Sequence, residues 1–479
     1  MLFNSFAFAV FLPIVFVLYW CIPHKYKWIL MLVASYYFYM SWDAKYIVLI
    51  AVTTLISYGA GIFLEKENTA GKKKAVLALS CIACLGILFF FKYFNFVSES
   101  LNDLFGLFSI RMNPVTLKIL LPVGISFYTF QTLGYVIDVY RGKIKAEHHL
   151  GYYAVFVSFF PQIAAGPIAR AADLLPQLKE KRKFDYDKAT YGLKQMAVGF
   201  FKKLVVADSL AIYSDKVFGA PQQYSGFSLV LAAFFFTIVI YCDFSGYSDI
   251  AIGTGKLMGI DMMTNFKSPY FSQSVKEFWK RWHISLSTWF RDYVYIPLGG
   301  NRVGKARRIL NLMITFFASG LWHGANWTFV VWGGIHGAMQ AIEDLIIPKE
   351  KRESKGIIRW LRILFVFVFV SFAWIFFAAN SIGDAFYVIS HAFCDILSPV
   401  HYLKDGFVQI GMEAIVLLKE MFFVLLVAVY DYLSINADMI TKLSTKKPAV
   451  RWTIYVGVML LLVFFSQKGV ASEFVYFQF

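Results

Sequence analysis

The sequence predicts an all-α integral membrane protein, and three observations carry that expectation. Hydrophobic residues make up 59% of the 479 and charged ones only 16%, against roughly 45–50% and ~25% in soluble domains. Apolar runs recur from residue 6 to residue 467, with no polar block reaching the ~50 residues that a folded soluble domain usually needs. Residues 1–479 are therefore read as one multipass domain. The lysines and arginines behind the net charge of +16 sit in short loops between those runs, where the positive-inside rule puts them. The charge thus reports topology and implies no nucleic-acid partner.

Taken in order, runs long enough to cross a bilayer, about 17 to 25 residues each, fall near residues 5–23, 45–64, 75–97, 114–140, 226–252, 361–379, 412–433 and 452–467. Shorter or more mixed runs at 28–42, 192–212, 309–322 and 326–347 bring the expected crossings to about eleven or twelve. The first run lacks the basic start and small-residue cleavage site of a signal peptide, so it is read as a retained span. The loops around Lys73, Lys143, Lys181, Arg307, Lys351 and Lys446 are expected on the cytoplasmic side. Those at 98–113, 213–225 and 380–411, poor in basic residues, are expected outside. With the N-terminus outside, this alternation fails at 150–176 unless the chain turns back there. The segment Phe159-Phe-Pro-Gln-Ile-Ala-Ala-Gly-Pro-Ile168 supplies the break with Pro161, Gly166 and Pro167. It is read as a re-entrant element, tolerated at membrane depth only where protein buries it or a wet cavity adjoins it.

The stretch from Lys276 to Arg302 is too charged to span and too aromatic for a solvated loop. As one helix it would gather Phe278, Trp279, Trp282, Leu286, Trp289, Phe290 and Tyr293 on one arc. Lys276, Lys280 and Arg281 would lie mostly off that arc, with His283 at its edge. That is the pattern of a helix lying in the membrane interface, ending at Ile296-Pro-Leu-Gly-Gly-Asn301. Two elements entered from the cytoplasm imply a cavity or tunnel opening to that side.

His323 lies in Gly320-Leu-Trp-His-Gly-Ala-Asn-Trp327, at the break between two short apolar helices, with Trp322 beside it and Asn326 one turn on. An ionisable group in so apolar a region is a functional candidate by default, and an ordinary pKa of ~6.5 suits a group that takes and returns a proton. The residues alone leave a catalytic and a packed His323 equally open, and they favour a structural His283. His336, among glycines, reads as a packed, hydrogen-bonded core residue. Asp243, Ser245, Tyr247, Ser248 and Asp249 read as a polar cavity wall. The two aspartates, six residues apart, fall on different helix faces and do not form a dyad. Cys81 and Cys84 read as packing, and no metal site is expected. The absence of phosphate-loop, zinc-protease and nucleophile-elbow motifs removes the usual ATPase, zinc protease and serine hydrolase readings.

Several of these segments, in this order, resemble the membrane-bound O-acyltransferases and, within them, the bacterial alginate O-acetylation branch. They are the Met1-Leu-Phe-Asn-Ser-Phe opening, Leu121-Pro-Val-Gly-Ile-Ser-Phe-Tyr-Thr-Phe-Gln131, Gln162-Ile-Ala-Ala-Gly-Pro-Ile168, Asp243-Phe-Ser-Gly-Tyr-Ser-Asp249, Phe278-Trp-Lys-Arg-Trp-His283, Tyr295-Ile-Pro-Leu-Gly-Gly-Asn301, Leu321-Trp-His-Gly-Ala-Asn-Trp327 and the closing Phe474-Val-Tyr-Phe-Gln-Phe479.

The resemblance covers nearly the whole chain and implies transmembrane, re-entrant and interfacial helices around a central tunnel. It marks His323 as the catalytic histidine and His283 as the second, supporting one. It implies acetyl transfer from a cytoplasmic thioester to a hydroxyl of a cell-surface polysaccharide outside, often through a secreted or membrane-anchored partner transferase. Acetyl-coenzyme A is the expected donor, no bound cofactor is expected, and the location is the bacterial cytoplasmic membrane. His323 would be the base, Asn326, Trp322 or a backbone N–H would orient it or hold the oxyanion, and Trp282 would adjoin the substrate. Lys276, Lys280 and Arg281 would draw in the donor's phosphates. Two alternatives remain: a D-alanyl transferase for teichoic acids fed by a carrier-protein thioester, and a transporter or flippase without acyl chemistry. Against the last, the sequence has no internal repeat and no matched pair of broken helices.

Overall fold

The computed structural model describes residues 1–110, 115–117, 120–347, 354–466 and 474, and among these the regular elements are helical. The basic loop residues 349–353 and the closing residues 475–479 lie outside the described set. In order the helices are α1 (Phe6–Cys21), α2 (His24–Met40), α3 (Ile47–Lys66), α4 (Ala70–Leu88), α5 (Phe94–Gly106), α6 (Ile125–Tyr140), α7 (Leu150–Ser158), α8 (Ala171–Lys179) and α9 (Tyr186–Phe200). Next come α10 (Asp208–Gly219), α11 (Phe227–Leu257), α12 (Val275–Arg281), α13 (Ile284–Phe290), α14 (Lys305–His323), α15 (Trp327–Ile346) and α16 (Gly356–Ala378). The chain closes with α17 (Ile382–His391), α18 (Pro399–Ile410), α19 (Ala414–Ser434), α20 (Met439–Ser444) and α21 (Pro448–Phe465).

Among the described residues, five helical stretches are long and apolar enough to cross a membrane: Ala44–Lys66, Ala70–Gly106, Phe227–Leu257, Gly356–Ala378 and Pro448–Phe465. The chain is a multi-pass membrane protein. Among the described residues of the run expected at 114–140, the helix begins at Ile125, because Gly124 stands in the left-handed region at φ +72° and Pro122 precedes it.

Two compact units divide the chain, one of residues 1–193 with 251–263 and one of 194–250 with 264–479. In the first, the chain leaves helical geometry at Phe159 and regains it at Ala171, and residues 159–168 are buried throughout. The carbonyl of Phe156, near the end of α7, accepts from Gln131 Nε2 at 2.6 Å and from Gln162 Nε2 at 3.0 Å. Phe160 N donates to Ser35 Oγ at 3.1 Å. Side-chain amides and a hydroxyl thus meet polar backbone near the predicted proline break, which is what a buried irregular segment requires.

In the second unit α14 and α15 pack at very short range through Gly320 and Gly333. A Cβ on Gly320 would collide with the Phe329 carbonyl, and one on Gly333 with the Phe316 carbonyl. Close approach of this kind needs small residues, and it draws the ends of both helices into one aromatic core.

The expected interfacial helix is not what forms between Lys276 and Arg302. The segment is α12, a break at Trp282–His283, α13, and a π-helical turn at Arg291–Tyr295. Its aromatic arc is covered by protein: Phe278 and Trp282 are fully buried, and Leu286, Trp289 and Phe290 nearly so. Trp282 lies within 5.0 Å, centroid to centroid, of both Phe266 and Trp374. Periodicity could not separate a lipid-facing arc from a protein-facing one, because both need the same apolar stripe.

Candidate active site

Two buried histidines meet in the second unit. His323 is the last residue of α14, which stops because Gly324 takes an extended conformation. Asn326 then caps α15, its side chain accepting from Thr328 N at 3.0 Å. His283 sits between α12 and α13 at φ +43° and ψ +54°, a left-handed conformation uncommon for a residue with a Cβ. The two imidazoles lie 6.4 Å apart, centroid to centroid, and Trp322 contacts both, at 5.9 Å from His283 and 5.0 Å from His323. His283 is fully buried and His323 is 3% exposed. Burial pushes the His283 pKa down to about 3, so that ring is neutral at physiological pH.

The strained junction is held from several sides. Helix α12 opens on a side-chain cap, Ser274 accepting from Glu277 N at 3.0 Å, while the Glu277 carboxylate reaches back to accept from Gln273 N, one residue before the cap, at 2.8 Å. The Glu343 carboxylate of α15 accepts from Val275 N at 2.7 Å and Lys276 N at 3.0 Å, placing a negative charge at the helix N-terminus. Across the break, Lys267 N donates to Arg281 O and Ile284 N to Asn265 O, each at 2.9 Å.

Aromatic rings pack around the pair. His323 touches Trp332 at 5.0 Å and Phe377 at 5.4 Å, and Phe244 meets His283 edge-on at 4.7 Å. The indole N–H groups of Trp282, Trp332 and Trp374 and the Ser245 hydroxyl are buried with no hydrogen-bond partner among the described residues. Buried donors left unmade are costly, and each calls for a reason. The Trp332 ring lies 5.0 Å from His323, so its N–H is a donor close to the pair.

A cavity of about 440 Å³ opens beside α12, α13 and the following π-helical turn. Lys276, Lys280 and Arg291 line it together with Ser319, Gln340 and Trp279. Lys276 is tied to Asp344 at 3.1 Å, whereas Lys280 is exposed. Trp279 packs at 5.7 Å on Trp332, the same ring that touches His323. Two rings in contact, Trp279 and Trp332, therefore link the basic cavity to His323.

The other candidate residues are placed differently. Arg281 is not on this cavity and pairs with Glu277 at 2.6 Å. The Asn326 amide is engaged at both ends, accepting from Thr328 N and donating to Asn380 O at 3.0 Å. Asp243 and Asp249 each meet their own lysine, Lys203 at 2.6 Å and Lys202 at 2.8 Å, and Lys203 also reaches Asp208 at 2.8 Å. Both lysines stand on the π-helical turn Phe201–Ala207, while Gly199 and Gly246 let that segment approach α11. Tyr247 packs on Phe474 at 4.8 Å. His336 is a packed core residue as expected, its Nδ1 accepting from Trp279 Nε1 at 3.2 Å.

Asn265, Lys202, Lys203, Trp332 and Trp374 are not among the residues that the sequence alone points to. The adjacent lysines in an otherwise apolar run were a usable signal, since buried cations demand partners. Asn265, in a polar connector, gave none.

The membrane-bound O-acyltransferase family description matches residues 143–383. The chain is 42% identical over 387 residues, 80% of its length and 76% of the relative's, to a probable alginate O-acetylase AlgI of Azotobacter vinelandii. It is 33% identical over 425 residues, 81% of its length and 79% of the relative's, to a peptidoglycan O-acetyltransferase of Helicobacter pylori. A teichoic acid D-alanyltransferase of Streptococcus thermophilus is 31% identical over 257 residues, 49% of this chain and 59% of that protein.

Proposed function

The chain belongs to the membrane-bound O-acyltransferase family and is an O-acyltransferase, and we propose that it acetylates a hydroxyl of a cell-surface polysaccharide outside the bacterial cytoplasmic membrane. The donor is a cytoplasmic thioester, acetyl-coenzyme A, and the acetyl group passes to the polysaccharide directly or through a secreted or membrane-anchored partner transferase. The observation that carries the chemistry is the pair of imidazoles 6.4 Å apart in a buried aromatic site.

In this reading His323 takes the proton of the acceptor hydroxyl as its oxygen attacks the thioester carbonyl, forming a C–O bond and a tetrahedral oxyanion. Buried indole N–H groups, among them that of Trp332, supply donors for that charge. Collapse breaks the C–S bond, and the departing thiolate recovers the proton from His323. His283 supports this centre. The cavity carrying Lys276, Lys280 and Arg291 suits a donor rich in phosphate. Trp322 packs against both rings. Asp243, Asp249 and their lysines stiffen the flank of the site, and Arg281 and Asn326 hold local structure.

The D-alanyl alternative draws on the teichoic acid relative, whose likeness covers about half of this chain, whereas the two acetylating relatives match about 80%. Purified protein in vesicles, offered radiolabelled acetyl-coenzyme A or a D-alanyl carrier protein, separates the two. Label transfer from the carrier protein and none from acetyl-coenzyme A would reverse the choice. Movement of substrate that survives loss of His323 would instead favour a transporter.

A further inference from the structure

We infer that Asn265 is a positioning residue that fixes His283 in the tautomer carrying its proton on Nδ1, leaving Nε2 as the ring's acceptor atom. The inference rests on the reading of His283 as the supporting member of the pair, and its geometry is independent of the donor. Asn265 is fully buried. Its Oδ1 lies 3.2 Å from Ser285 N, 2.9 Å from Ser285 Oγ and 3.1 Å from His283 Nδ1, while its Nδ2 is 3.3 Å from Ser248 Oγ on α11.

An amide can be turned either way at its tip, and here the surroundings decide. A backbone N–H can only donate, so the atom facing Ser285 N is the carbonyl oxygen. The same oxygen faces His283 Nδ1, and two lone pairs at 3.1 Å would repel, so Nδ1 bears the hydrogen. With that site filled and the ring neutral, Nε2 holds the only ring lone pair. It can accept a proton or a hydrogen bond and cannot give one.

The backbone agrees with the side chain. Asn265 O accepts from Ile284 N at 2.9 Å, so one residue grips both the imidazole and the chain immediately after it. A left-handed histidine persists only where its surroundings over-determine it, and such strain gathers at functional sites. A hydrogen bond to the far nitrogen is the usual way in which a working histidine is told which nitrogen to use. Among the described residues, the rings in contact with His283 from the neighbouring helices include Phe244 on α11 and Trp322 and His323 on α14, of which His323 carries an ionisable ring.

The test is the nitrogen-15 spectrum of the full-length protein in lipid vesicles at pH 7.5, with histidine labelled. His283 is assigned as the resonance missing from His283→Gln. The expected spectrum has a protonated Nδ1 and a bare Nε2. Asn265→Leu, which removes the acceptor, should mix the two tautomers. It should also lower kcat about tenfold or more with little change in KM for the donor, and by no more than His283→Ala does, because Asn265 acts only through that ring. Asn265→Asp keeps an acceptor at Nδ1 and should restore the tautomer. A wild-type His283 protonated on Nε2 would overturn the assignment, as would an unmixed tautomer in folded Asn265→Leu. If Asn265→Leu does not fold, the wild-type spectrum decides by itself. Because the spectrum needs no turnover, a failure of the acetyl-transfer reading would show in the assay and leave this result standing.

Discussion

His283 and His336 are both fully buried and both ringed by aromatic side chains, and they differ in what holds them. His336 lies within regular helix α15, stacks on Phe278 at 6.2 Å with an interplanar angle of 8°, and accepts one hydrogen bond from Trp279. His283 stands on a left-handed junction, gripped by an amide, a hydroxyl and two backbone bonds, with a second imidazole beside it. Burial alone does not mark chemistry. A neutral histidine with one donor behaves as an aromatic core residue, whereas a strained backbone of order 1–3 kcal/mol is maintained where the ring's exact direction matters.

The sharpest way to break that contrast is to remove the imidazole assigned to proton transfer. His323→Ala should insert and bind donor, yet lose acetyl transfer by about 10² to 10⁴-fold, the usual share of a general base. His323→Gln, which can keep a hydrogen bond but cannot cycle a proton, should be nearly as inactive. The measurement is transfer to the acceptor at matched protein levels, with donor binding read separately. Retention of more than about a tenth of wild-type turnover would fall short of even the low end of that range and would pass the role to His283.

A smaller loss is expected at the supporting ring. His283→Ala should lower kcat by roughly 10- to 100-fold, by analogy with the loss on removing a residue that orients a metal's ligand. A loss equal to that of His323→Ala, with no further loss in the double variant, would instead make the two imidazoles one unit.

The cavity tests the donor side of the same contrast. Lys276→Met with Lys280→Met should raise KM for acetyl-coenzyme A several-fold and leave kcat nearly unchanged, because long-range attraction governs encounter more than the chemical step. Arg281→Met should do less, since Arg281 is paired with Glu277 and lies off the cavity. A fall in kcat alone would contradict the placement of the donor there.

Helical, membrane-spanning character was legible because length and apolar composition alone decide it, and the break at Phe159–Ile168 because proline removes a donor wherever it falls. His323 and His336 stand out in the sequence because an imidazole in an apolar run must be explained, and the structure buries both. What could not be read was direction in space. The arc from Phe278 to Tyr293 has one period whether lipid or protein covers it, and only tertiary packing showed Trp282 against Trp374. Asp243 and Asp249 invited a polar wall, and their lysines lay some forty residues away in sequence. Asn265 is an ordinary polar residue until the chain brings it to His283.

The smallest effect on catalysis is expected at His336, and there the contrast is tested from its quiet side. His336→Phe keeps an aromatic ring among Phe278, Phe316 and Trp332, so packing is largely preserved. It removes the acceptor of Trp279 Nε1 and leaves that buried donor unmade, at about 1–3 kcal/mol, offset in part because the ring's own Nε2–H, buried with no partner among the described residues, is removed with it. The thermal midpoint in detergent should therefore fall by a few degrees, and His336→Gln, which retains an acceptor, should lose less. Transfer by the folded protein should stay within about twofold of wild type, since no bond to the reacting atoms is removed. Trp279 also lines the cavity proposed for the donor, so a shifted ring should raise KM slightly while kcat holds. If His336→Phe folds normally yet loses kcat as His283→Ala does, then regular helical geometry fails to distinguish a core histidine from a working one. The reading of the strained junction would then lose its main support.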